Sequence, residues 1–132
     1  MGPSALFFVW GGMNPVTTTA LGRWAESLGV TYLEGLGYEV LLRNYHCAEG
    51  EIDLIALEKG VLVFVEIRSR ETDDHGHPLE TISVGKQRRI AVTARHFLQE
   101  VGGPPGPCRF DALGILLQEP PVFTLVKEAF EA

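Results

Sequence analysis

The chain has 132 residues, 45% hydrophobic and 21% charged, which suits one compact domain and excludes wholesale disorder. Its apolar runs, such as Val61–Val65, fall far short of the ~20 residues a membrane helix needs, so no membrane association is expected. The formal charge of −6 argues against indiscriminate coating of nucleic acid, and two cysteines cannot build a disulfide framework, so a soluble cytoplasmic protein is expected.

Residues 1–16 read as an N-terminal extension ahead of a domain spanning 17–132, with Met13 as a candidate natural start. Ser4–Trp10 is apolar like a signal core, but no Lys or Arg precedes it and no cleavage site follows. Phe7, Phe8 and Trp10 read as a hydrophobic tail rather than a stacking platform for bases. The first helix is expected to start at Thr17–Thr19, whose hydroxyls can cap it. Leu21, Ala25, Leu28 and Tyr32 repeat at helical spacing as its core stripe, and Gly35 and Gly37 end it. Glu26 lies off that stripe, aligned with Gly22, Val30 and Leu33.

Tyr38–Arg43 reads as a strand and Asn44–Gly50 as a loop. Glu51–Leu57 and Val61–Arg70 form a hairpin around Glu58-Lys59-Gly60, and His75–Pro78 is loop. Ser83 is a candidate cap for a second helix reaching about Val101, with Ile90, Ala94, Phe97 and Val101 inward. Gly102–Pro107 stops it, and Arg109–Leu117 and Val122–Lys127 are the last two strands. The order α-β-β-β-α-β-β predicts an α/β fold, a mixed sheet flanked by helices. Local charge departs from the net value: Lys86, Arg88, Arg89 and Arg95 fall between positions 86 and 95 with no carboxylate among them.

The informative residues lie in the hairpin. Glu51 and Asp53 share one face of a strand, and Phe64, Glu66 and Arg68 share one face of the next. Glu66 is enclosed by Val65 and Ile67 in a run suited to a sheet interior, and a buried carboxylate requires a partner. Arg68 is one partner; a divalent cation shared with Asp53 is another. Hard Mg²⁺ or Mn²⁺ takes one or two carboxylates plus phosphate oxygens, and a neighbouring cation stabilises charge on phosphorus.

Glu26, Asn44, Gly50-Glu51-Ile52-Asp53-Leu54-Ile55, Phe64-Val65-Glu66-Ile67-Arg68-Ser69-Arg70, Lys86 and Arg109-Phe110-Asp111 together resemble the YraN-like family. That family is a branch of the restriction-endonuclease-like superfamily, which includes archaeal Holliday-junction resolvases. The resemblance runs from about Leu21 to the C-terminus. It implies a restriction-endonuclease-like fold and a Mg²⁺- or Mn²⁺-dependent endonuclease acting on DNA, including structured or branched DNA. Asp53 and Glu66 would hold the metal, with the Ile67 carbonyl as a candidate further ligand and Glu26 approaching from the helix. Arg68 stands where the family pattern usually has lysine; it keeps the charge but cannot accept a proton from water. Lys86 is placed to supply the missing ammonium.

Arg70, Lys86 and Arg89 are the candidate nucleic-acid contacts, while Arg88 and Arg95 share a solvated helix face. A homodimer would let two such sites cut both strands of a duplex. Two other readings stand beside the enzyme. One is a noncatalytic nucleic-acid module inactivated by Arg68; the other is an acidic protein-interaction domain whose Asp53, Glu66 and Arg68 form a structural salt-bridge cluster. Glu51 reads as a solvated residue at a strand start. His46, Cys47, His75, His77 and Cys108 match no established zinc spacing, and no zinc site is expected from them.

Overall fold

The computed structural model describes residues 20–71, 82–102 and 106–130. Helix α1 (Ala20–Gly35) is followed by strands β1 (Glu39–Cys47), β2 (Gly50–Glu58) and β3 (Val61–Arg70), helix α2 (Val84–Glu100), and strands β4 (Cys108–Leu116) and β5 (Val122–Phe130). The strands form one sheet in the order β1-β2-β3-β4-β5. β3 and β4 run parallel, and the other three pairings are antiparallel. The expected α/β architecture and element order are therefore present.

Each face of the sheet carries its own core. Leu42, Tyr45, Ile52, Ile55, Phe64 and Phe110 pack against Ile90, Ala91, Ala94 and Phe97 of α2. Leu54, Ala56, Val63, Val65, Leu113 and Ile115 pack with Leu33 of α1. Both hydrophobic layers exclude water from a sheet whose central strands are buried on both sides. Ser83 caps α2 as expected, its hydroxyl accepting from the Lys86 N–H at 3.1 Å.

Two expectations need correction. The buried face of α1 is Ala25, Gly29 and Leu33, whereas Leu21 is 43% exposed and Leu28 and Tyr32 are half-buried. Gly29 sets this rotation. A Cβ there would lie 3.2 Å from Leu113 Cδ2 and 3.3 Å from Ile67 Cδ1, so the helix backbone sits directly on the sheet. The rotated face also brings Glu26 to a half-buried position at the sheet side. The expected Thr17–Thr19 cap, the aromatic tail and His75–Pro78 lie outside the described residues.

The second correction concerns Asn44–Gly50, expected as a loop. β1 instead continues through Asn44 to Cys47, and only Ala48 and Glu49 turn the chain into β2. Asparagine does adopt the left-handed backbone that made it look like a turn residue, with φ of 55°, but inside the strand. Leu42 and Tyr45 face the same core although they are three residues apart, as do their partners Ile55 and Ile52. Regular alternation would put them on opposite faces. Asn44 and the residue across from it, Asp53, thus occupy a kink shared by both strands.

Candidate functional site

Strand register builds the site. β2 and β3 pair from Glu58↔Val61 to Leu54↔Val65 and no further. Beyond that point β2 stays with β1, through Ile52, Glu51 and Gly50, while β3 stays with β4 through Arg70↔Leu116. The sheet therefore forks. Asp53 and Glu66 are the next residues on the two arms, facing each other where the ladder stops. Parting strands leave backbone donors unpaired, and the Asp53 carboxylate answers one of them: its Oδ2 accepts from the Ile67 N–H at 2.8 Å.

Helix α2 closes one side of the fork. Glu66, only 5% exposed, meets Lys86 with Nζ–Oε2 at 2.9 Å. The buried acid thus takes a salt bridge from the helix, where the sequence offered Arg68 or a shared cation as its partner. Gly50 makes this docking possible: a Cβ at that position would lie 3.0 Å from Thr93 Oγ1 and 3.6 Å from Arg89 Cβ. The resulting cleft of about 340 Å³ is lined by Gly50, Glu51, Asp53, Glu66, Arg68 and Ser69 on the strands and by Lys86 and Arg89 on the helix.

Electrostatics set this cleft apart from an ordinary salt-bridge cluster. Burial, and then the nearby Glu66 carboxylate, push Asp53 well above the usual carboxylate range. The Ile67 N–H opposes that rise, and Glu26 and Glu51 add to it. Glu26 is itself raised by burial, against the lowering effect of Arg43, whose Nη2 is 3.8 Å from Glu26 Oε1. Asn44 hydrogen-bonds the Glu26 carboxylate, while its own Oδ1 is buried without a partner among the described residues. Four acids therefore act on one another around the kink, and the ammonium of Lys86 alone does not restore Asp53 to its ordinary range.

Asp53, Glu66, Arg68, Lys86 and Arg89, singled out from the sequence, line one cleft. Glu26 and Arg70 do not line it. Glu26 acts on it through space, and Arg70 lies at the end of β3, where its carbonyl accepts from the Leu117 N–H. Sequence reasoning read Glu51 as a solvated residue at a strand start, whereas it lines the cleft two residues before Asp53, and gave Gly50 no role of its own, although its lack of a side chain seats α2. Alternation along the strand was the signal for Glu51; nothing local signals a glycine needed for contact with a distant helix.

The donor set suits a hard cation. Asp53 and Glu66 each present one carboxylate oxygen to a protein donor, Oδ2 and Oε2, and each carboxylate has a second. Oxygen-only surroundings of this charge favour Mg²⁺ or Mn²⁺ over metals that seek nitrogen or sulfur.

Among known proteins, residues 25–115 match the profile of the uncharacterised protein family UPF0102. A UPF0102 protein of Lachnoclostridium phytofermentans is 44% identical over 112 residues, covering 84% of this chain and 92% of that protein. One from Nitrosococcus oceani is 43% identical over 104 residues, covering 78% and 84% respectively. One from Chlorobium chlorochromatii is 44% identical over 104 residues, covering 78% and 80%. The matched stretch includes every residue of the forked cleft and of the kink beside it, and the chain belongs to the UPF0102 family.

Proposed function

We propose that this protein is a restriction-endonuclease-like, Mg²⁺- or Mn²⁺-dependent phosphodiesterase acting on DNA. The observation that carries the reading is the pairing of Asp53 with Glu66 across the fork, where β2 and β3 part and cations from α2 and β3 face the same cleft. A salt-bridge cluster that only holds the fold would neutralise its acids, whereas here Asp53 is raised by burial and by Glu66.

Asp53 and Glu66 would hold the cation. A bound divalent ion supplies Lewis-acid polarisation of a phosphodiester and a more acidic attacking water. The chain's own groups account for the rest. The Ile67 N–H fixes the Asp53 carboxylate, so its other oxygen is oriented before any ligand arrives. Arg68 offers two parallel N–H donors to phosphate oxygens, and it stays charged throughout. Lys86, half-exposed at its tip, reaches Glu66 and faces the cleft, where it replaces the ammonium that lysine at position 68 would bring. Arg89 adds a further cation to the phosphate path. Lys86, Arg88, Arg89 and Arg95, with no carboxylate between residues 86 and 95, give α2 a local positive charge opposite to the net charge of the chain.

The test is cleavage of single-stranded, duplex and branched DNA with Mg²⁺ or Mn²⁺, alongside Asp53→Asn. Metal-dependent cleavage that the variant loses supports the enzyme. Salt-sensitive DNA binding without turnover in the native chain would favour the noncatalytic module instead, and Arg68→Lys then becomes the variant to assay. Neither metal binding nor DNA binding would leave the acids a structural role.

A further inference from the structure

A second group of metal-ligating atoms lies outside the forked cleft, at the turn between β1 and β2. Cys47 Sγ, Glu49 Oε1 and His96 Nε2 all lie within 4.8 Å of one another. His96 Nε2 is 2.9 Å from Glu49 Oε1, and Cys47 Sγ is 3.4 Å from the same oxygen. Two donors thus point at one acceptor, the arrangement a tetrahedral cation adopts when it replaces the hydrogens between them. We propose that Cys47, Glu49 and His96 form a site for Zn²⁺ or a similar borderline transition metal, separate from the hard-cation site of Asp53 and Glu66.

Three physical points support it. First, the donors differ in kind from those in the cleft. One sulfur, one imidazole nitrogen and one carboxylate oxygen select zinc-like ions, and Mg²⁺ and Mn²⁺ compete poorly for thiolate. Second, the site is built before metal arrives. The two-residue turn fixes Cys47 and Glu49, and Gly50 presses that turn onto Thr93 of α2, one helical turn before His96. Cys47 Sγ also lies 3.7 Å from Thr93 Oγ1, whose hydroxyl donates to the Arg89 carbonyl at 2.7 Å. Third, the site is reachable. The Glu49 and His96 side chains are 46% and 44% exposed and Cys47 is half-buried, so three protein ligands would leave a position for water. Zinc-bound thiolate and carboxylate together give a neutral centre. The thiol proton goes to solvent on binding, and His96 Nε2 binds as neutral imidazole with its remaining proton on Nδ1.

Of the other residues considered for zinc from sequence, His46 and Cys108 take no part in this cluster, and His75 and His77 lie outside the described residues. His96 was missed because it is remote in sequence and only the docking of α2 brings it to the turn. A metal here would tie the β1–β2 hairpin to the helix that carries Lys86 and Arg89.

The test is titration of the full chain, reduced and freed of metal, with Co²⁺ followed by displacement with Zn²⁺. One equivalent of Co²⁺ should give a near-ultraviolet thiolate-to-cobalt charge-transfer band, and Zn²⁺ should abolish it. Cys47→Ser should eliminate the band, and His96→Gln should weaken binding roughly tenfold or more. Cys108→Ser should leave it unchanged. Asp53→Asn should also keep the band, which separates this site from the hard-cation site. Absence of the band from the native chain, or its survival in folded Cys47→Ser, would overturn the assignment; circular dichroism establishes folding of each variant.

Discussion

Asp53 stands out as a carboxyl whose charged form the fold disfavours. Burial and Glu66 raise it, and only the Ile67 N–H works the other way. Asn at that position retains an oxygen for the Ile67 N–H while removing one charge from the group of acids. Asp53→Asn in EDTA is therefore expected to melt no lower than the native chain, and thermal denaturation checks this directly. On the proposed function, millimolar Mn²⁺ should raise the melting temperature of the native chain but not of this variant, and cleavage of DNA by the variant should be roughly a hundredfold or more below that of the native chain. Lys86 is expected to behave differently. Lys86→Ala should lower the slope of log affinity against log salt for DNA by about one, measured by fluorescence anisotropy at several salt concentrations. At this scale the sequence was informative because chemistry is local: carboxylates flanked by Val, Ile and Leu in two successive strand patterns announce a buried polar pair. The salt bridge from Lys86 to Glu66 and the Glu26–Arg43 pair were not foreseeable, since each depends on how a helix docks.

The elements follow the hydrophobic periods, and they depart from them where a single residue changes how two elements meet. The helical spacing of Leu21, Ala25, Leu28 and Tyr32 suggested a buried face that shares only Ala25 with the one observed, because burial in α1 follows closeness of approach rather than side-chain size. Gly29→Val should destabilise the protein by about 1–3 kcal/mol, because its methyls would enter space held by Leu113, Ile67 and Ile115. Asn44 was legible as a residue tolerant of left-handed backbone, but not as a kink within a strand. Its effect appears only when β1 and β2 pair, and the two strands switch faces together between Leu42↔Ile55 and Tyr45↔Ile52. Asn44→Val should cost about 1–3 kcal/mol by forcing a branched residue to a φ near 55°, whereas Asn44→Gly should retain most of the stability. Urea denaturation of both variants distinguishes a backbone requirement from a role confined to the Glu26 hydrogen bond.

Across the whole molecule, the two ends of the sheet handle buried charge in opposite ways. At the fork, acids crowd together. At the far end of β2 they are matched: Arg109 donates from Nε to Asp111 Oδ1 at 2.9 Å and from Nη2 to Glu58 Oε1 at 2.6 Å. Tyr38 donates its hydroxyl to Asp111 Oδ2 at 2.6 Å, and the Glu128 N–H reaches Asp111 Oδ1 at 3.0 Å. Lys127 Nζ lies 3.1 Å from both Glu58 oxygens. This network joins β2, β4, β5 and the residue before β1 around a fully buried Asp111, so it holds the sheet together at the end away from the fork. Hydrogen bonds from Arg109 and then Lys127 outweigh burial and hold Glu58 below the usual carboxylate range. A carboxyl depressed in the folded state stabilises the fold fully above its unfolded value, and the contribution is lost as pH falls through the folded value. Acidification below about pH 4.5 should therefore lower the melting temperature through Glu58. Glu58→Gln should melt lower than its parent at pH 7, by roughly 2–8 °C, with the gap closing as Glu58 becomes protonated. Asp53, raised rather than lowered, acts on stability with the opposite sign over an overlapping range, so the comparison belongs in an Asp53→Asn background. Melting curves there that stay parallel from pH 7 down to the acid limit would show that Glu58 is not the group whose protonation loosens this end of the sheet.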